Sequence, residues 1–119
     1  MNHYKKGAQA ERKMIEILRK KGFACVRVAG SGRARFEQPD IIASNRKRTL
    51  SIECKHVNSD VVYIPKEELN ALIKFSKDFG AEPILAVRFK KKWEFWKLKK
   101  EKNEKKYIGF KKNRGEKII

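Results

Sequence analysis

Pro39-Asp40-Ile41-Ile42-Ala43 and Thr49-Leu50-Ser51-Ile52-Glu53-Cys54-Lys55, joined across Asn45-Arg46-Lys47-Arg48, decide the fold. Both flanks are short and rich in β-branched residues, and the basic segment between them is a turn, so the stretch reads as a β-hairpin. With a period of two, Thr49, Ser51, Glu53 and Lys55 share one face, and Leu50, Ile52 and Cys54 share the other. Asp40 opens the first strand, and Glu53 and Lys55 lie toward the end of the second. The hairpin therefore gathers two carboxylates and an ammonium at one end.

Upstream, residues 8–21 read as a helix. Glu11, Met14, Ile15 and Leu18 recur at i, i+3, i+4 and i+7, and Gly22 supplies the stop. Glu11 shares the inward stripe, where a carboxylate is costly unless it is paired or holds a cation. Phe23 to Ala29 reads as a strand that ends at Gly30. The loop Gly30–Gln38 then mixes Gly30 and Gly32 with Arg33 and Arg35, a composition suited to close approach to a phosphate backbone.

Downstream, residues 65–79 read as a second helix, with Pro65 in its first turn, Glu67 and Glu68 near its N-terminus and Gly80 past its end. Leu69, Leu72 and Ile73 suffice to cover a sheet. Phe75 and Phe79 carry the apolar stripe further round than one small core requires, which makes them the candidate interface should the chain pair with a second copy. Ile84–Phe89 and Glu94–Leu98 read as strands joined by Lys90-Lys91-Lys92. Phe95 alternates with Trp96, so at least one of these aromatics, or Trp93, belongs to the core. The order αβββαββ predicts an α/β fold with a central mixed five-stranded sheet flanked by helices.

Composition narrows the partners. The chain has 119 residues, with 31 Lys and Arg against 14 Asp and Glu, a formal net charge of +17. An excess of that size points to a polyanion, and nucleic acid outranks a membrane because no stretch is apolar for the ~20 residues of a spanning helix. No apolar leader follows the N-terminus, so a cytoplasmic location is expected. Cys25 and Cys54 sit in apolar strand-like runs as small hydrophobes. With His3 and His56 they lack the paired spacing of a zinc site. Residues 97–119 hold ten Lys or Arg and three acids. The segment 99–119 is read as a basic extension, partly mobile or adding a short strand through Tyr107-Ile108-Gly109-Phe110.

Two carboxylates meeting at one point repel each other unless a cation neutralises them. Hard oxygen donors suit Mg²⁺, with Mn²⁺ as a substitute. With an ammonium beside them, these are the parts that hydrolysis of a phosphodiester requires.

Pro39-Asp40, twelve intervening residues and Glu53-Cys54-Lys55 resemble the PD-(D/E)XK nuclease motif. Lys6-Gly7-Ala8-Gln9-Ala10-Glu11-Arg12, Val28-Ala29-Gly30-Ser31-Gly32, Pro39-Asp40-Ile41-Ile42-Ala43, Ile52-Glu53-Cys54-Lys55 and Phe79-Gly80-Ala81-Glu82-Pro83 follow in the order seen in archaeal-type Holliday junction resolvases. The resemblance covers about residues 5 to 98. It implies a restriction-endonuclease-like nuclease domain over residues 1–98. By it, Asp40, Glu53 and Glu11 would bind the metal, with the Cys54 carbonyl as a further ligand, and Lys55 would position the attacking water. Ser31 and Arg12 would take catalytic roles. Apart from the resemblance, the basic residues Lys5, Lys6, Arg12, Arg33 and Arg35 are read as the DNA-binding set. It further implies a two-fold homodimer acting on branched DNA, the four-way junction, with paired cuts. The chain has Glu-Cys-Lys where Glu-Val-Lys is commoner, a change on the opposite strand face from the carboxylates.

Each residue taken singly has an ordinary explanation. Glu11 suits a helix N-terminus, Glu53 and Lys55 suit the exposed face of an edge strand, and Asp40 suits a turn. Their convergence is what carries the nuclease reading. Two alternatives remain open at this level: a less selective nuclease of the same fold acting on duplex or flap DNA, and a non-catalytic basic DNA-binding module.

Overall fold

A computed structural model describes residues 3–30 and 38–119, with side chains from Gly7 onward in the first helix. Ser31, Arg33 and Arg35, and the side chains of Lys5 and Lys6, lie outside the described residues.

Helix α1 spans His3–Lys20, followed by β1 (Ala24–Arg27), β2 (Ile41–Ser44) and β3 (Thr49–Val57). Then come β4 (Val61–Pro65), α2 (Lys66–Phe79), β5 (Glu82–Phe89), β6 (Lys92–Lys97) and β7 (Tyr107–Lys111). Five strands form one sheet in the order β1-β2-β3-β5-β6, with β4 and β7 in a separate two-stranded sheet. Only the β3–β5 pairing is parallel among the described strands. Parallel neighbours need a crossover, which β4 and α2 supply. The mixed five-stranded sheet and its two helices follow the expected order.

The sheet is packed on both faces. On one, Met14 and Leu18 of α1 pack with Leu50, Ile52, Ile84 and Ala86. On the other, Leu69 and Leu72 of α2 pack with Leu85, Val87, Phe89 and Phe110. Strand β3 is central in the sheet, and Ser51, on the face it shares with Glu53 and Lys55, is fully buried, so the edge-strand explanation of those two residues does not apply. Trp96 contacts Phe89 and Phe110 edge-on, with ring centroids 6.2 and 5.2 Å apart, so it is a core aromatic.

Pro65 caps α2 from outside rather than lying in its first turn, and Gly80 closes it at φ 84°, a left-handed conformation in which its N–H reaches the Ser76 carbonyl. Glycine takes that conformation without steric cost. Strand β4 has no counterpart among the elements expected from the sequence. Its partner β7 runs antiparallel to it with Tyr63 opposite Gly109. The tail then returns to the main sheet. Glu116 N–H donates to the Phe95 carbonyl, the buried Glu94 carboxylate accepts from the N–H groups of Asn113 and Gly115, and Arg48 donates to the Ile118 carbonyl.

Candidate active site

Pro39 is fully buried, and Asp40 follows it at a bend directly before β2. The β2–β3 register pairs Ile41 with Ile52, which brings Asp40, one residue further, alongside Glu53. The Asp40 backbone continues the ladder, its N–H donating to the Ile52 carbonyl and its carbonyl accepting from Val28. Its side chain is buried, and Oδ2 accepts the N–H of Cys54 at 2.9 Å. Backbone on both sides therefore fixes this carboxylate.

Glu53 is hydrogen-bonded to Asp40, and its pKa is pushed up to about 9 by burial, the Asp40 charge and that hydrogen bond, only partly offset by Lys55. At neutral pH Glu53 thus keeps its proton and donates it to Asp40. Two carboxyls set side by side are hard oxygen donors that fit a divalent ion, and binding it would release that proton.

Lys55 Nζ lies 2.7 Å from Glu68 Oε1, an α2 residue with no role in the sequence reading beyond its place near the helix N-terminus. Burial pulls the Lys55 amine down, but the Glu68 bond and the charges of Glu53, Glu68 and Asp40 outweigh it, so the pKa lies above the ordinary value and the ammonium stays charged. Glu53 and Glu68 line one small groove with Gln38, Leu72 and Phe75.

Glu11 reaches the site from α1. Burial and the nearby Asp40 charge raise its pKa, and a hydrogen bond from Arg27 lowers it in part. Arg27 Nε donates to Glu11 Oε1 at 2.8 Å, so this carboxylate is turned to a guanidinium on β1. Among the described residues, no three His, Cys, Asp or Glu side chains are grouped as a metal centre. The described site is an Asp40–Glu53 pair with Glu11 in its field, and Cys25, Cys54 and His56 form no zinc set. Arg12 is exposed on α1 near Glu11. The Cys54 thiol is held well above its usual pKa by burial and the carboxylates of Asp40, Glu11 and Glu53, which leaves it protonated.

Sequence reasoning missed Arg27 and Glu68. An arginine between Val26 and Val28 is a usable signal for one of them. Glu68, by contrast, is indistinguishable in the sequence from an ordinary acid at a helix start.

A mixed sheet that sets Pro-Asp at one strand's entry against Glu-x-Lys on the next, with a helix carboxylate in their field, defines the PD-(D/E)XK class of nucleases. The family model "Archaeal holliday junction resolvase (hjc)" matches residues 2–118. A crossover junction endodeoxyribonuclease Hjc of Archaeoglobus fulgidus is 41% identical over 92 residues, 76% of this chain and 68% of that protein. A crossover junction endodeoxyribonuclease of Sulfolobus islandicus rod-shaped virus 1 is 34% identical over 94 residues, covering 76% of this chain and 78% of the viral one. The crystal structure of the A. fulgidus Hjc, a Holliday junction resolvase, superposes with a TM-score of 0.78 at 35% identity, covering 85% of this chain and 83% of that one. The chain belongs to the archaeal Holliday junction resolvase family.

Proposed function

We propose that this protein is a structure-selective DNA endonuclease that resolves four-way junctions by Mg²⁺-dependent, paired phosphodiester hydrolysis. The observation that carries this reading is the pair of carboxyls formed by the buried Asp40 and the half-buried Glu53 beside the charged Lys55, in a chain whose relatives are named as crossover junction endodeoxyribonucleases.

Asp40 and Glu53 would hold Mg²⁺, or Mn²⁺ in its place, with the Cys54 carbonyl as a further ligand and Glu11 contributing from α1. The chemistry such an ion would supply is Lewis-acid activation of the scissile phosphate and of water. Lys55 orients the attacking water and faces the charge that develops on the phosphate. Arg33 and Arg35 of the glycine loop, with Lys5, Lys6 and Arg12 of the N-terminal helix, contact the backbone around the branch, and Ser31 and Arg12 belong to the catalytic set. A junction is recognised by its shape, so phosphate contacts outweigh base edges.

The active unit is a homodimer, in which two sites cut two opposing strands. The stacked Phe75 and Phe79 rings, with centroids 5.3 Å apart and Phe79 54% exposed, support α2 as its interface. Among the described residues, no helix is long and apolar enough to cross a membrane. The free thiols Cys25 and Cys54 suit the reducing cytoplasm.

The test is cleavage of an immobile four-way junction against a linear duplex, with and without Mg²⁺, by wild type and Asp40→Asn. Paired nicks near the branch, lost without the ion and in the variant, are expected. Equal cutting of the duplex would indicate a less selective nuclease, and binding without cleavage a basic DNA-binding module.

A further inference from the structure

We infer that Glu68 of α2 is the positioning residue for Lys55, and that the helix completes the cleavage site by fixing the ammonium from the side opposite α1. The inference rests on the proposed role of Lys55 in ordering the attacking water.

A lysine is a point charge on four rotatable carbons, and only a second anchor holds its head in one place. The ion pair of Lys55 is with Glu68, and Glu53 acts on the ammonium through its charge. Glu68 meets Lys55 at 2.7 Å, with each side chain about one third exposed. The two therefore meet at the solvent-facing edge of the site. Glu68 also lines the groove that contains Glu53, with Leu72 and Phe75. Residues 68, 72 and 75 follow at i, i+4 and i+7 and form one face of α2. Leu72 of that face is buried in the core, which sets the helix rotation. The placement of Glu68 is thus a consequence of core packing.

Truncating Glu68 frees the ammonium to sample several rotamers. A misplacement of about 1 Å in a reacting group costs on the order of 100-fold, so a loss of roughly 10- to 100-fold in the cleavage step is expected. The carbonyl oxygen of a glutamine accepts the same hydrogen bond and restores most of it. A helix surface residue with no further role would instead affect stability or binding.

The experiment measures single-turnover cleavage of a saturating four-way junction, junction Kd and melting temperature for wild type, Lys55→Ala, Glu68→Ala and Glu68→Gln. Support requires that Lys55→Ala abolish cleavage and Glu68→Ala slow it at unchanged Kd and melting temperature, with Glu68→Gln close to wild type. Wild-type cleavage by Glu68→Ala, or equal losses in Glu68→Ala and Glu68→Gln, overturns the inference while leaving the resolvase reading intact. A loss in Glu68→Ala that tracks a lowered melting temperature or weakened Kd overturns it in favour of a structural role. Normal cleavage by Lys55→Ala overturns the role of Lys55 itself, and this inference with it.

Discussion

The Asp40 carboxylate accepts the backbone N–H of Cys54, the residue between Glu53 and Lys55, at 2.9 Å. The strand that carries two of the site residues thereby also fixes the third. Asp40→Asn can keep that hydrogen bond through its amide oxygen while removing the charge that would hold a metal ion. Cleavage is expected to fall by at least about 100-fold, while the metal-free melting temperature stays equal to wild type or rises. Asp40→Ala leaves the Cys54 N–H without its acceptor and should be destabilised by about 1–3 kcal/mol. Thermal melts alongside single-turnover assays separate the two variants.

The raised pKa of Glu53 makes the metal-free protein sensitive to pH. The folded state binds this proton more tightly than the unfolded chain, whose value is near the ordinary 4.5, and releases it only near 9. The contribution is fully present below the unfolded value and is lost as pH rises through the folded one. Between these limits, wild type should lose stability relative to Glu53→Gln as pH rises. Added Mg²⁺ should stabilise wild type more at high pH than at low, with no such gain in Glu53→Gln. Paired melts from pH 5 to about 9, with and without the ion, check the sign.

Glu94 is 8% exposed and accepts the N–H groups of Asn113 and Gly115, so it clamps the tail onto β6. Removing its carboxylate orphans two backbone donors at once. Glu94→Ala should cost about 2–3 kcal/mol by urea unfolding and should raise amide exchange over residues 113–119.

Phe79 is more than half exposed and stacks on Phe75, so little folding free energy depends on it in one copy. Phe79→Glu should leave the melt nearly unchanged but shift the protein from dimer to monomer by light scattering. Junctions should then receive single nicks instead of paired cuts.

Much of this architecture was legible in the sequence because it rests on local periodicity. The period of two in Thr49–Lys55 set Glu53 and Lys55 on one face, and the short turn set Asp40 beside them. The 3.6-residue period of α1 turned Glu11 inward. What the sequence did not disclose depends on contacts between distant segments. The β4–β7 pairing joins Val61–Pro65 to Tyr107–Lys111, and no local pattern selects that partner. Arg27 on Glu11 and Glu68 on Lys55 are meetings of side chains from separate elements, fixed by how each helix rotates into its core. Glu53 keeps its proton because packing shields it from water and sets the Asp40 carboxylate against it. The sequence by itself determined which chemical groups are present and on which strand or helix face each stands, since backbone geometry repeats along the chain. Only the tertiary structure decided which groups touch and which ones hold their charge, since distance and burial are properties of the packed molecule.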